Sequence, residues 1–94
     1  MSSYSLRIEE RVIKEMRGYP PKVYKQVMRR MVGLQFNPRP HDSKKVGRGY
    51  RVDVGEYRIL YTIDRQEQLV KVLLVGSRNN DEVYKQTKRL GLLS

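Results

Sequence analysis

The chain has 94 residues, 38% of them hydrophobic, which is enough for the core of one small domain spanning residues 1–94. The absence of cysteine, the single histidine and the lack of any long apolar run exclude disulfide frameworks, thiolate metal sites, two-histidine catalysis and membrane spans, so we expect a cytoplasmic protein with no membrane partner. The 20 lysine and arginine residues against 10 acidic residues give a net charge of +10. Such a charge favours binding to phosphate backbones or acidic partners. The alternative is that the charge serves solubility alone.

The first residues predict a strand followed by a short helix. Tyr4, Leu6 and Ile8 alternate with polar residues, which is the pattern of a half-buried strand. Residues 11–17 predict a helix that ends at Gly18. The apolar residues of this helix have helical spacing and form one face: Val12, Ile13 and Met16.

A second helix is predicted over residues 22–36. Pro20 and Pro21 precede it, and proline is tolerated in the first turn of a helix. Its apolar residues recur at steps of four, four and three and form one stripe: Val23, Val27, Met31 and Leu34. Beside the stripe lie basic residues that we expect to supply charge for docking rather than chemistry: Lys22, Lys25, Arg29 and Arg30. The two helices therefore form an α-hairpin.

Residues 39–49 predict a loop because glycine, proline, aspartate and serine are frequent there. Lys44, Lys45 and Arg48 make this loop basic, and we expect them to contact phosphate groups, with a plain solvated loop as the alternative. A lone loop histidine such as His41 is usually structural or incidental.

Residues 50–63 predict a β-hairpin, because apolar residues alternate on both sides of the two-residue turn Gly55-Glu56. With this turn, Asp53 lies opposite Arg58, and opposed side chains share a sheet face. Arg51 lies on that face as well. The apolar residues of both strands form the other face, which packs on the helices. The charged face is either a solvated surface with a cross-strand ion pair or a binding site.

After a turn at residues 64–68, residues 69–75 are almost continuously apolar, which is typical of a central strand covered on both faces. Asp81 is a suitable N-cap for a last helix over residues 82–90, which ends at Gly91. The order of elements is β-α-α-β-β-β-α. The sequence therefore predicts an α+β fold in which an antiparallel sheet packs against an N-terminal α-hairpin and a short C-terminal helix.

Three segments resemble the RelE/ParE toxin superfamily, and within it the RelE-type messenger-RNA endonucleases: NPRPHDSKKVGRG at 37–49, GYRVDVGEYRILY at 49–61 and VKVLLVGSRNNDEVYK at 70–85. The six-residue step from Arg78 to Tyr84 resembles the RelE branch in particular. The likeness extends over nearly the whole chain and implies a single RelE-like toxin domain.

The resemblance implies a toxin that enters the decoding (A) site of the ribosome, cuts the messenger RNA there and so inhibits translation. The ribose 2′-hydroxyl attacks the adjacent phosphate, and no metal or other cofactor is needed. The implied partners are the ribosome, the message and a cognate antitoxin, RelB-like or of another kind. RNA contacts are then expected from the basic residues of the second helix and the loop: Lys22, Lys25, Arg29, Lys44, Lys45 and Arg48. The net charge of the chain leads us to expect that this antitoxin is acidic where it covers the arginines.

Carried over position by position, the resemblance implies that Arg51, Arg58, Arg78 and Tyr84 are catalytic. Guanidinium groups offer paired donors to phosphate oxygens, and a tyrosine can stack on a base. Asp53 departs from the family, whose members often have a basic residue there. It is either a general base or a group that orients Arg58, and we favour orientation because a carboxylate beside an arginine is a weak base.

Two other functions are compatible with the sequence. A ParE-like toxin that inhibits DNA gyrase shares the fold, although the joint presence of Arg58, Arg78 and Tyr84 argues against it. A non-catalytic basic RNA-binding module is the other possibility, and Asp53 is the main residue in its favour.

Overall fold

The computed structural model describes residues 3–77 together with residues 79, 85, 88, 89 and 91. Most of the predicted C-terminal helix lies outside the described residues, as do its expected N-cap Asp81 and the expected site residues Arg78 and Tyr84. The elements follow in chain order as β1 Ser5–Ile8, α1 Glu10–Met16, α2 Pro21–Gly33, β2 Lys44–Val46, β3 Gly49–Val54, β4 Tyr57–Asp64 and β5 Leu69–Ser77. In this part of the chain, neither helix has the length and apolar character needed to cross a membrane.

The strands form one sheet in the order β1-β5-β4-β3-β2. The α+β class is confirmed, and α1 and α2 form the expected α-hairpin after the first strand. The sheet is mixed rather than wholly antiparallel, because β1 runs parallel to β5 while the other pairs are antiparallel. The alternation of apolar residues in β1 predicts a strand but does not identify its neighbour, which lies some sixty residues further along the chain.

The sheet also contains β2, which falls within the segment that was predicted as a loop. That prediction was wrong for Lys44–Val46, which pair with β3 so that Lys44 lies opposite Arg51 and Val46 opposite Gly49. Gly47 has φ of +56° and, with Arg48, forms a two-residue turn between these strands. The frequent glycine residues of this segment indicated a loop, whereas Gly47 permits a tight hairpin between β2 and β3.

The predicted register of the β3–β4 hairpin is confirmed. Asp53 lies opposite Arg58 and Arg51 lies opposite Leu60, and Gly55 at the turn has φ of +57°. The left-handed backbone conformation at Gly55 is costly for any residue with a Cβ atom. The turn chemistry therefore sets which side chains of these two strands share a face.

The two helices cover one face of the sheet, and we call the opposite one the outer face. The side chains buried between helices and sheet are Val12, Met16, Val27, Met31, Leu34, Val52, Ile59, Tyr61, Val70, Val72 and Val75. Three of the four residues of the predicted α2 stripe are among them, and Val23 packs against them partly buried. Ile13 differs from the prediction, since it is 42% exposed.

The strand β5 is apolar on both faces, as predicted. Its outer side carries Leu74, which is 4% exposed and packs with Leu60 in a second apolar cluster. A β-bulge between β4 and β5 shifts the register at Leu60/Tyr61, and for this reason Val72 and Val75, three residues apart, both lie among the helices.

We expect Gly55→Ala to lower the free energy of unfolding by about 1–2 kcal/mol, since alanine is strained at φ of +57°. The space around a Cβ atom there is open, so the loss would come from the backbone alone. Gly33→Ala is the matched control: it lies in α2, has open space around it, and should be stabilising by about 0.5–1 kcal/mol. Urea denaturation of both variants measures the difference, and equal effects would contradict the strained turn.

Candidate active site

The outer face gathers four charged side chains on three neighbouring strands: Lys44 on β2, Arg51 and Asp53 on β3, and Arg58 on β4. Lys44 is directly opposite Arg51, and Asp53 is directly opposite Arg58. Because opposed residues share a face, all four side chains lie on the same side of the sheet. The two residues of β3 and Arg58 were expected there from the sequence; Lys44 joins them only because β2 is a strand.

Arg58 and Asp53 form a cross-strand ion pair. The Nε atom of Arg58 lies 3.5 Å from Oδ1 of Asp53, with the arginine side chain 13% exposed and the aspartate side chain 39% exposed. The more buried partner is thus the cation, and the carboxylate stands nearer to solvent. This arrangement fixes the guanidinium close to the sheet and holds a negative charge beside it.

Lys44 and Arg51 place two positive charges side by side on the same face. Directly opposed like charges destabilise a strand pair. Within the described part of the chain neither residue forms an ion pair, in contrast to Arg58 with Asp53. A phosphate or carboxylate placed between Lys44 and Arg51 would remove this repulsion, so the pair is suited to bind an anion.

The other expected RNA-binding residues lie away from these four. Lys45 is opposite Tyr50 and therefore projects to the other side of the sheet, and Arg48 is exposed in the β2–β3 turn. Lys22, Lys25 and Arg29 are exposed on α2, in the helical layer. Arg29 lines an open groove of about 530 Å³ that Asp53 also lines.

Arg30 does not project freely as a docking charge. Its Nη2 atom donates a hydrogen bond to Oδ2 of Asp42 at 2.5 Å, and the hydrogen bond from Arg30 lowers the pKa of the Asp42 carboxyl below its usual value. No sequence pattern indicated this contact, because the two residues are twelve positions apart and adjoin other charged or polar residues.

Tyr61 has a polar contact in addition to its core position. Its hydroxyl donates a hydrogen bond to the carbonyl oxygen of Pro38 at 2.6 Å. Burial raises the pKa of Tyr61 to about 12, so the hydroxyl remains a donor at neutral pH. The alternating pattern of β4 predicts that Tyr61 is a core residue. Only the presence of its hydroxyl indicated that a hydrogen-bond partner was needed.

His41 lies in the connection between α2 and β2 and is exposed.

The sequence comparisons identify the family. The family described as the ParE toxin of type II toxin–antitoxin system, parDE, matches residues 6–82. The chain is 30% identical over 88 residues to the mRNA interferase toxin RelE of Escherichia coli K12, with 89% of this chain and 93% of that protein covered. It is 24% identical over 81 residues to the putative toxin RelE1 of Methanocaldococcus jannaschii, with 80% and 90% covered.

Solved structures agree with this assignment. A mutant of the E. coli toxin RelE in the free state matches with a TM-score of 0.79 at 27% identity, over 94% of this chain and 97% of that one. The toxin–antitoxin complex RelBE2 from Mycobacterium tuberculosis matches with a TM-score of 0.74 at 25% identity, over 85% and 97%. The chain belongs to the ParE toxin family of type II toxin–antitoxin systems, within the RelE/ParE superfamily.

Proposed function

We propose that this protein is an endoribonuclease toxin that cuts messenger RNA in the decoding (A) site of the ribosome and thereby inhibits translation. The observation that carries the proposal is the convergence of Lys44, Arg51 and Arg58 on one sheet face, in a chain 30% identical to the mRNA interferase toxin RelE of E. coli. Its partners would be cytoplasmic ribosomes with their message, and an antitoxin like the RelB of the RelBE complexes.

The spacing of the two arginines suits one phosphate group. Arg51 and Arg58 are diagonal neighbours across β3 and β4, and such positions lie about 7–8 Å apart. Two arginine side chains can close that gap and place their planar donors on the non-bridging oxygens of a single phosphodiester. Since the Arg58 side chain is only 13% exposed, its charge is weakly screened by water.

The proposed reaction is an internal transesterification. The 2′-oxygen of the ribose bonds to the adjacent phosphorus and the bond from phosphorus to the 5′-oxygen breaks, which leaves a 2′,3′-cyclic phosphate and a 5′-hydroxyl. The 2′-hydroxyl loses its proton and the leaving 5′-oxygen gains one, with no change in oxidation state. Negative charge grows on the non-bridging oxygens, where guanidinium donors stabilise it, so no metal ion is assigned a step.

Proton transfer needs a group other than the arginines, which stay protonated. The Asp53 carboxylate is already engaged in the ion pair with Arg58, and a negative group at this position repels the phosphate. We therefore assign Asp53 the role of orienting Arg58. Tyr84, which the family resemblance makes catalytic, or a group of the ribosome would take part in moving the protons.

We expect Asp53→Asn to retain message cleavage within about tenfold of the wild type, because the amide oxygen can still accept a hydrogen bond from Arg58. Loss of a general base would lower the rate by a factor of about 100 or more. Single-turnover cleavage on programmed ribosomes separates the two. Glu56→Gln, at the exposed tip of the same hairpin, is the matched control for losing a nearby carboxylate.

The 2′-hydroxyl mechanism is tested by a message that carries one 2′-deoxynucleotide at the cleaved position. Cleavage should stop there and persist at unmodified positions on the same message. Cleavage that continues at the deoxy position would require a different nucleophile.

A ParE-like inhibitor of DNA gyrase is the second candidate, and the family match, whose description names ParE, favours keeping it. A supercoiling assay distinguishes the two candidates: inhibition of gyrase together with an intact message would replace the nuclease proposal. Tight binding of the message with neither effect would instead indicate a non-catalytic RNA-binding module.

A further inference from the structure

On the basis of the proposed function, we propose that residues 37–43, which we call the strap, place Lys44 for contact with the RNA, and that Arg30 and Asp42 are the positioning residues that hold the strap. The strap is part of the connection between α2, which ends at Gly33, and β2, and it ends immediately before Lys44. Arg30 and Asp42 would then act on the substrate through Lys44, without touching it.

The start of the strap is attached to the core of the protein. Tyr61, fully buried in β4, donates its hydroxyl hydrogen bond to the carbonyl oxygen of Pro38 at 2.6 Å. Further along, the backbone N–H and the hydroxyl of Ser43 both donate to the carbonyl oxygen of Pro40, at 2.9 and 2.7 Å. These bonds shape the strap, and none of them connects it to α2.

The pair Arg30–Asp42 supplies that link. The two side chains meet at 2.5 Å, with Arg30 30% exposed and Asp42 62% exposed. Arg30 follows Arg29 and precedes Met31 on α2, and Met31 is fully buried, so this part of the helix is fixed on the core. Asp42 is two residues before Lys44. A rigid helix is thereby connected to the entry of β2.

The strand β2 needs such support. It has three residues and, among the strands of the described residues, lies at the edge of the sheet beside β3. Its first residue, Lys44, faces the like charge of Arg51, which favours separation of the two strands at that end. The Arg30–Asp42 contact opposes this separation, so that Lys44 stays beside Arg51 and Arg58 on the outer face.

We expect Asp42→Asn to raise the concentration of programmed ribosomes needed for half-maximal cleavage about fivefold, the upper range for an exposed ion pair, with kcat within twofold of the wild type. Asp42→Glu should restore most of the loss, since it keeps the charge. Glu10→Gln is the matched control, because it breaks an exposed ion pair with Lys14 on α1 without affecting the strap. A fall in kcat alone, or an equal effect of the control, would overturn the proposal.

A double-mutant cycle distinguishes positioning from general destabilisation. If Asp42 acts through Lys44, the variant with both Asp42→Asn and Lys44→Ala should behave like Lys44→Ala alone. Additive effects would mean that Asp42 acts by another route and would overturn the proposal.

Amide hydrogen exchange tests the strap independently of cleavage. Asp42→Asn should speed exchange in residues 44–46 and 49–51 and leave β4 and β5 unchanged. If the wild-type protein cuts no message, the proposed function is refuted. Faster exchange in β2 of the Asp42→Asn variant would still show that the strap holds Lys44 in position. Unchanged exchange in β2 would overturn it.

Discussion

Replacement of Arg58 by alanine should lower the rate of message cleavage about 100- to 1000-fold, the effect of removing one preorganised donor to a developing oxyanion. The Arg58 side chain is 13% exposed, compared with 39% for its partner Asp53. The ion pair between them holds the Arg58 guanidinium in place. The loss should appear in the single-turnover rate on programmed ribosomes, since the donor acts mainly on the transition state.

Two further variants make this result specific to Arg58. Arg58→Lys keeps the charge but loses the paired donors, so its rate should fall between those of the wild type and the alanine variant. Arg65→Ala removes an exposed arginine from the turn between β4 and β5 and should leave the rate unchanged. A folded Arg58→Ala protein that cuts within tenfold of the wild type would remove Arg58 from the reaction.

Replacement of Ile59 by alanine should lower the free energy of unfolding by about 2–5 kcal/mol, which is the usual cost of truncating a buried isoleucine. Ile59 has no exposed surface and lies in β4, the middle strand of the sheet, in the same core cluster as residues of both helices. For a domain of this length the midpoint of thermal unfolding should fall by about 10 °C or more. Thermal and urea denaturation measure the change.

Ile13→Ala removes the same atoms from α1 and is the matched control. Because Ile13 is 42% exposed, its truncation should change the free energy of unfolding by less than about 1 kcal/mol. Similar losses in the two variants would contradict the placement of the core between the helices and the sheet.

Local chemistry explains why much of the fold was predictable. Gly55 accepts the left-handed backbone of a two-residue turn, and that turn sets the register by which Arg51, Asp53 and Arg58 share a face. The spacing of apolar residues in α2 likewise indicates which side of the helix is buried, as Val27 and Met31 confirm. Both inferences need only neighbouring residues.

The features that were not predictable depend on distant parts of the chain. The parallel pairing of β1 with β5 follows from tertiary packing, because a strand pattern does not specify its partner. Adjacent arginines on α2 look alike in the sequence, yet Arg30 is half-buried against Asp42 while Arg29 is exposed. The strand β2 is an exception, because its signal is local: Gly47-Arg48 repeats the turn chemistry of Gly55-Glu56.

The most direct test of the proposed function is primer extension on a defined message in a reconstituted translation mixture, with the purified protein added and ribosomes present or omitted. We expect new 5′ ends at codons in the decoding site, formed only when ribosomes are present and absent with Arg58→Ala. An intact message in both reactions, from a protein that remains folded, would contradict the assignment of a ribosome-dependent nuclease.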